Sequence, residues 1–247
     1  PDTPVSNYAN RHALHSAIAG QLAAQRLGWG DDAGKSLFRA ALTMNLGMAE
    51  LQNRLAAQVT PLTALQRQQM HEHPQRSVEL LQAAGVNDPL WLEAVAQHHE
   101  RPDGTGYPRG LGDLGELALL LNRVDNFTAR FSARVIRLAM PADVAVRQFF
   151  AADPKSPHAA AIVKEFGLYP PGCSVRLKSG ELGVVMRRGA TATTPVVAVV
   201  TTRNGDQLLQ PVRRDTQQAE HAVAAVVPAT SIKVRLPVEK LVACCAA

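Results

Sequence analysis

The spacing of the apolar residues changes once along this chain, and that change constrains the fold more than any other feature. From Tyr8 to Phe166 apolar residues recur at three- and four-residue intervals, which is typical of amphipathic helices. After Tyr169 they fall into short β-prone runs separated by turn-forming residues. The sequence therefore predicts a mainly α protein, with a helical domain at residues 1–168 and a small β-rich, barrel-like domain at residues 169–247.

The positions of Gly and Pro divide the helical domain into segments. Helices are expected near residues 8–27, 33–56, 62–70, 74–84, 88–100, 115–134, 142–152 and 157–166. Pro74 is assigned to the first turn of its helix, because backbone N–H groups in the first turn have no hydrogen-bond acceptor within the helix. In the β domain, "TPVVAVVTTRNGDQLLQPV" predicts two strands joined by an Asn-Gly turn, and "VRLKSGELGVVMRRG" predicts two more adjacent strands.

Composition and charge exclude some classes of protein. The chain has 247 residues and a formal net charge of +5, and its sequence lacks an apolar run of the roughly 18 to 20 residues that a membrane helix needs. No signal-peptide pattern opens it. We therefore expect a cytoplasmic protein with no membrane segment. The positive charge favours an anionic ligand, but the basic residues are scattered, so nucleic acid is not the expected partner.

The chain begins with Pro1 rather than Met, so we expect it to be a piece of a longer protein. A sensory or receiver domain is expected upstream. The sequence leaves the oligomeric state open, with a homodimer among the alternatives.

The stretch "HHERPDGTGYPRGL" combines metal-ligand chemistry with a glycine-rich loop. His98 and His99 are neighbours on a helix, about 100° apart, so both reach one site only if that site is wide. Other histidines occur in pairs, His12 with His15 and His71 with His73, and Asp125 lies within an apolar segment. His12 and His71 are interpreted as ordinary histidines. Asp125 is either part of a site or paired with an arginine such as Arg101 or Arg123.

The loop that follows has features of a ligand-binding or partner-binding segment. Glycines permit close backbone approach, the tyrosine offers a flat amphipathic ring, and the arginines offer forked donors that suit phosphate. The loop residues singled out are Arg101, Asp103, Gly104, Gly106, Tyr107, Pro108 and Arg109. The alternative interpretation is a well-formed turn between two helices.

Together, "HEHPQRSVELL", "HHERPDGTGYP" and "NRVDNF" resemble the HD-GYP family, the HD-superfamily phosphodiesterases that hydrolyse cyclic di-GMP. The resemblance covers most of the chain, and it implies an HD-superfamily helical bundle. In the family a set of histidines and carboxylates surrounds two or three metal ions. Carried over by position, the ligand residues are His15, His73, His98, His99 and Asp125.

The chain departs from the family pattern at "AALTMNLGMAEL". Where the family has a His-Asp pair followed by a Lys, this chain has Met44, Asn45 and Met48. A carboxylate that some members place four residues before the first histidine falls at Arg11. Asn45 supplies no negative charge to balance two dications, and Met48 offers no ammonium group to a phosphate.

Three hypotheses follow from the resemblance and this departure. The first is a degenerate HD-GYP domain that acts in cyclic di-GMP signalling by binding the nucleotide or a diguanylate cyclase (GGDEF) domain, without catalytic residues. It holds either no metal or a single divalent ion (iron, manganese, nickel or zinc) at partial occupancy. The second is an active metal-dependent phosphodiesterase with a reduced metal site. The third is a helical scaffold on which the β domain does the binding.

Overall fold

The computed structural model describes residues 7–131, 140–233 and 237–245. By contacts between residues, the chain divides into two compact units: Pro1–Met140 with Lys155–Ile162, and Pro141–Pro154 with Val163–Ala247. The first unit is helical and the second contains a β-sheet, so the predicted mainly α fold with a β-rich C-terminal part is confirmed. The predicted domain boundary between residues 168 and 169 stays a prediction.

The first unit is a bundle of helices that meet through small and branched apolar side chains. Its helices are α1 (Tyr8–Arg26), α2 (Asp31–Thr43), α3 (Ala49–Ala57), α4 (Ala64–Ala83), α5 (Pro89–Gln97) and α6 (Glu116–Phe131). Helix α1 packs on α2 and α6, and α5 packs on α2, α4 and α6. Leu37, Val95, Leu120 and Val124 are completely buried in this core. The bundle brings parts of the chain that are distant in sequence, from α1 to α6, into one compact unit.

The predicted helix at residues 33–56 is wrong, because the chain leaves the α-helix after Thr43. A short 3-10 helix, Leu46–Met48, separates α2 from α3. Gly47 lies directly on the backbone of α4: its N–H donates to Ser77 Oγ at 2.9 Å, and Ser77 Oγ donates to the Met44 carbonyl at 2.9 Å. These bonds hold residues 44–47 against α4, and the α-helix that ends at Thr43 does not continue through them.

The two predicted helices at residues 62–70 and 74–84 are a single helix, α4. A capping box between Thr63 and Gln66 begins it, and Pro74 lies in its interior instead of its first turn. An internal proline cannot donate to the carbonyl four residues before it, here that of Met70. The His73 side chain donates to that carbonyl instead, with Nδ1 at 2.6 Å. The side chain therefore compensates for the backbone bond that the proline removes.

The second unit contains a five-stranded antiparallel sheet in the order β4-β3-β2-β1-β5. Its elements are α7 (Ala142–Ala152), the end of α8 (Pro157–Phe166), β1 (Ser174–Leu177), β2 (Leu182–Arg187), β3 (Val196–Thr201), β4 (Gln207–Asp215), β5 (Val223–Val226) and α9 (Val238–Cys245). The predicted β1–β2 and β3–β4 pairs are both confirmed. Strand β3 is buried along its whole length, because Val197 and Val199 pack with β1 and β2 on one face, while Ala198 packs against Cys245 of α9 on the other.

No helix in the described part of the chain combines the length and the apolar character that crossing a lipid bilayer requires. A cytoplasmic location stays a prediction.

Replacing Gly47 with alanine is expected to destabilise the helical unit. The new Cβ would lie 2.8 Å from the His73 carbonyl oxygen and 2.9 Å from Arg76 Cβ, so residues 44–48 and α4 must separate. Overpacking of this kind costs about 1–3 kcal/mol of unfolding free energy, which denaturant unfolding measures. The control is Gly20→Ala in α1, whose Cβ would meet its nearest atom at an ordinary 3.5 Å. Equal stability of the two variants would contradict the close packing of Gly47.

Candidate metal centre

His73 and His98 are both oriented by backbone carbonyls. His73 Nδ1 donates to the carbonyl of Met70 at 2.6 Å, and His98 Nδ1 donates to the carbonyl of Val95 at 2.7 Å, in the last turn of α5. Carbonyl oxygens only accept hydrogen bonds, so in each neutral ring the proton is on Nδ1 and the lone pair is on Nε2. Histidines that bind metals are usually held in this way, with the second ring nitrogen bonded to a carbonyl or carboxylate.

The two Nε2 atoms face each other at 3.2 Å. Two lone pairs at this distance repel unless a proton or a cation lies between them. Burial, reinforced by His98, lowers the pKa of His73 to about 3, and burial lowers the pKa of His98, so a proton is disfavoured near neutral pH. Two nitrogens bound to one tetrahedral ion at 2.0–2.1 Å lie about 3.3 Å apart, so the spacing fits a shared metal ion.

His99 completes a three-histidine cluster. The nearest ligand atoms of His73, His98 and His99 all lie within 4.8 Å of one another. Burial, together with His98, lowers the pKa of His99 well below its ordinary value, so this ring is also neutral near pH 7. The sequence predicted these three residues as neighbours, and the structure brings them together. Their role as ligands stays a proposal.

Asp125 lies on α6 beside this cluster and is bound to a histidine of α1. Its Oδ1 accepts from His12 Nε2 at 2.8 Å. Burial by itself raises the pKa of Asp125, but the hydrogen bond from His12 and the neighbouring His99 and His98 lower it overall, so the carboxylate is charged. His12 Nδ1 is buried and has no hydrogen-bond partner among the described residues. The pair therefore supplies one negative charge and one unused ring nitrogen.

The structure places His12 beside Asp125 and leaves His15, the histidine predicted as a ligand, exposed; the ligand role of His15 stays a prediction. His12 is 2% exposed, whereas His15 is on the exposed side of α1. Residues three apart on a helix differ in direction by about 60°, and here that difference buries His12 and leaves His15 exposed. With His12 as the first histidine, the position four residues earlier is Tyr8 and not Arg11. Tyr8 stacks on the His12 ring with 5.8 Å between centroids.

A buried carboxylate that the sequence analysis gave no role holds the glycine-rich loop. Glu100 is 1% exposed, and its two oxygens accept from the backbone N–H groups of Arg109 at 2.7 Å and Leu111 at 2.9 Å. Gly106 crosses the Glu100 backbone so closely that a Cβ would lie 2.4 Å from Glu100 Cα. The signal for this role was the Glu that directly follows the two histidines.

The loop places Tyr107 against the cluster. The Tyr107 ring stacks between His99, with 4.6 Å between centroids, and His71, with 4.4 Å. His71, interpreted from sequence as an ordinary histidine, thus contacts the loop. Arg101, Asp103, Gly104, Pro108 and Arg109 are exposed. Asp103 Oδ1 accepts from the N–H and the hydroxyl of Thr105, so its contacts shape the turn.

A pocket opens beside the cluster. Its lining consists of His12, Asn45, Met48, Gln52, Leu55, Met70, His73, His99, Tyr107, Asp125 and Ala129. Two of the three departures from the family pattern, Asn45 and Met48, are thus on its wall, whereas Met44 is fully buried and is not part of the lining. Sequence reasoning missed Gln52, Leu55 and Met70, which carry no motif signal. Gln52 Oε1 is buried without a hydrogen-bond partner among the described residues.

A comparison of the sequence with models of known protein families identifies the family of this chain. Residues 4–151 match the family described as HD domain. This chain belongs to the HD domain family. A solved structure of an HDGYP protein of Bdellovibrio bacteriovorus aligns with a TM-score of 0.52 and 21% identity, over 62% of this chain and 51% of that chain, which supports the fold. The predicted HD-GYP resemblance is confirmed.

Curated relatives of this HD domain chain include two phosphodiesterases. A "Cyclic di-GMP phosphodiesterase" of Pseudomonas aeruginosa is 37% identical over 139 residues, which are 53% of this chain and 33% of that protein. A "3'3'-cGAMP-specific phosphodiesterase 3" of Vibrio cholerae is 29% identical over 143 residues, which are 57% of this chain and 31% of that protein. The chain therefore spans about a third of the length of the curated relatives it matches.

Replacing Glu100 with glutamine is expected to loosen the loop. The amide keeps one acceptor oxygen and turns an NH₂ group toward a backbone N–H, so one buried donor loses its partner, at a cost of about 1–3 kcal/mol. Amide hydrogen exchange at Arg109 and Leu111 should accelerate. The matched control is Glu72→Gln, at an exposed position of α4. Exchange as slow as in the unmodified protein would show that Glu100 does not hold the loop.

Proposed function

We propose that this chain is a degenerate HD-GYP domain that acts in cyclic di-GMP signalling by binding, with its phosphodiesterase activity lost or strongly impaired. The observation that carries the proposal is the composition of the pocket lining. Beside His73, His99 and Asp125, the lining includes Asn45, Met48, Gln52 and Leu55, which are all uncharged. These four residues are called the neutral wall below, and His73, His98 and His99 are called the histidine wall.

The neutral wall argues against a two-metal site. Two dications held about 3.5–4 Å apart need negative charge between them. Among the described residues that line the pocket, Asp125 is the one carboxylate, and one of its oxygens is already hydrogen-bonded to His12. Asn45, at the position that the family resemblance assigns to a bridging carboxylate, contributes none. A second dication would therefore be poorly neutralised.

A single divalent ion fits the histidine wall. His73 and His98 would hold it, with His99 and Asp125 available to complete its shell, and iron, manganese, nickel and zinc all accept imidazole ligands. In phosphodiester hydrolysis such an ion supplies an activated hydroxide and stabilises negative charge on the phosphate. Met48, at the position where the family resemblance expects a lysine, adds no cation for the phosphate to the described pocket lining. Binding without efficient hydrolysis is the consequence.

The ligand class is proposed from the relatives and from the loop. The names of the two curated relatives refer to the hydrolysis of cyclic di-GMP and 3'3'-cGAMP, so a cyclic dinucleotide is the proposed small ligand. Arg101 and Arg109 are exposed on the loop beside the pocket, where their guanidinium groups are free to face the phosphates of a nucleotide or the surface of a diguanylate cyclase (GGDEF) domain. An upstream sensory or receiver domain and a homodimer remain part of the proposal.

The second candidate is an active phosphodiesterase with a reduced metal site. The paired Nε2 atoms of His73 and His98 favour it, because they are arranged for metal binding despite the missing His-Asp pair. The two candidates differ in turnover, and only the second requires a bound metal ion.

Calorimetric titration of the metal-quantified protein with cyclic di-GMP tests the proposal, with chromatography of the mixture for the linear dinucleotide and GMP. We expect binding without turnover. The matched variant combines Met44→His, Asn45→Asp and Met48→Lys, and it should bind more metal because Asn45→Asp adds a carboxylate to the pocket lining. Turnover by the unmodified protein would support the second candidate and contradict the first. Absence of both binding and turnover would contradict nucleotide binding. Binding of a diguanylate cyclase (GGDEF) domain would then be the remaining part of the proposal, and it is tested by titration with such a domain.

A further inference from the structure

Gln52 of α3 places a buried polar atom in the pocket lining without a hydrogen-bond partner. The residue is 8% exposed, and its Oε1 atom accepts no hydrogen bond from the described residues. The next amide of the same helix shows the ordinary arrangement, because Asn53 Oδ1 accepts from the Ala9 backbone N–H at 2.8 Å. A buried carbonyl oxygen that lacks a donor destabilises a fold unless a bound molecule supplies one. Packing of α3 alone therefore does not explain Gln52.

A second buried atom of the lining also lacks a partner. His12 is 2% exposed and its Nε2 donates to Asp125 Oδ1, so in the neutral ring the lone pair is on Nδ1. Like Gln52 Oε1, this Nδ1 has no hydrogen-bond partner in the part of the chain that the structure describes. An amide oxygen and an imidazole lone pair both accept hydrogen bonds. The lining thus suits a ligand that presents N–H or O–H donors.

The residues that share the lining with Gln52 indicate what kind of molecule carries these donors. Met48, Leu55, Met70 and Ala129 offer apolar surface to the pocket. Apolar surface with a few polar groups is typical of sites for small organic ligands, and it suits the flat face of a nucleobase. A cyclic dinucleotide has donors on its guanine edges and its ribose 2'-hydroxyls, whereas its phosphodiester groups only accept. Gln52 Oε1 therefore suits a base or a sugar and not the phosphate.

We propose that Gln52 is a specificity-determining residue of the pocket, whose Oε1 accepts a hydrogen bond from an N–H or O–H group of a cyclic dinucleotide. The inference rests on the nucleotide-binding part of the proposed function, and it names the group that distinguishes ligands by their donors. A residue with this role lowers the stability of the unliganded protein, because its buried oxygen lacks a donor there. It contributes affinity once the ligand supplies that donor.

The test is calorimetric titration of the full chain with cyclic di-GMP, with thermal unfolding of the unliganded proteins measured in parallel. The unmodified chain is compared with Gln52→Leu and with the control Gln97→Leu. Gln97 is also 8% exposed with an unpartnered Oε1, but it is not among the described residues that line the pocket. We expect Gln52→Leu to lose affinity about tenfold, because a donor of the bound ligand is left unpaired, while its Tm is unchanged or raised. The control should keep the affinity of the unmodified chain.

Three analogues of cyclic di-GMP identify the donor. The inosine analogue lacks the exocyclic amine of guanine, the 1-methyl analogue lacks the ring N–H, and the 2'-deoxy analogue lacks the ribose hydroxyls. The analogue without the donor should bind the unmodified chain about tenfold more weakly than cyclic di-GMP does. Gln52→Leu should not show this loss, because the contact is already missing from the variant.

Equal affinity of Gln52→Leu and the unmodified chain for cyclic di-GMP would overturn the inference and leave the proposed function standing. A loss of affinity together with a lowered Tm would indicate a structural role for Gln52 and would overturn it as well. Losses that add to the effect of Gln52→Leu for all three analogues would have the same meaning. Absence of cyclic di-GMP binding by the unmodified chain would contradict both the inference and the nucleotide-binding part of the proposed function.

Discussion

The site depends on the hydrogen bond from His73 Nδ1 to the Met70 carbonyl, which is available because Pro74 lies inside α4 and has no N–H to donate to it. Pro74 cannot donate to the carbonyl of Met70, and His73 Nδ1 occupies that acceptor. The bond fixes the proton of His73 on Nδ1 and turns the lone pair of Nε2 toward His98. At the end of α5, His98 repeats the arrangement with the carbonyl of Val95, where the helix leaves carbonyls without intrahelical donors. The two free carbonyls, of Met70 and Val95, thus orient His73 and His98 so that their Nε2 atoms face each other.

The remainder of the pocket is organised by contact with α4 and the loop. Gly47 and Ser77 hold residues 44–48 against α4, and Asn45 and Met48 line the same pocket as His73 and His99. Glu100 holds the loop so that Tyr107 covers His99. The pocket thus joins a histidine cluster to uncharged residues at positions where the family resemblance expects a carboxylate and a lysine. The proposed function rests on this combination.

The sequence predicted that the histidines lie near one another, which the structure shows, whereas their roles as ligands stay predictions. His73, His98, His99 and Asp125 followed from the family resemblance, because their motifs are contiguous and specific. The resemblance was carried over to His15, but His12, one turn away on α1, is the buried histidine of the two. Local sequence spacing could not show which of them faces the pocket. The position of Pro74 inside a helix could not be predicted, because its compensation depends on a side chain.

Helix periodicity also failed where tertiary packing overrides it. The break after Thr43 depends on contact between Gly47 and α4, which lies some 30 residues further along the chain. Gln52, Leu55 and Met70 have ordinary helical positions in the sequence, and only the fold places them around one pocket. The hairpins of the second unit were predictable, because turn residues and alternating apolar residues are local signals.

Native mass spectrometry of the full chain with increasing manganese or zinc, counting bound ions, tests the central claim most directly. The claim is that a histidine wall and a neutral wall together support a single ion. The account predicts that the number of specifically bound ions never exceeds one per chain, and that His98→Ala reduces it to the background of nonspecific adducts. Two or more specifically bound ions per chain would contradict the account, because the wall of Asn45 and Met48 would then be holding a second ion.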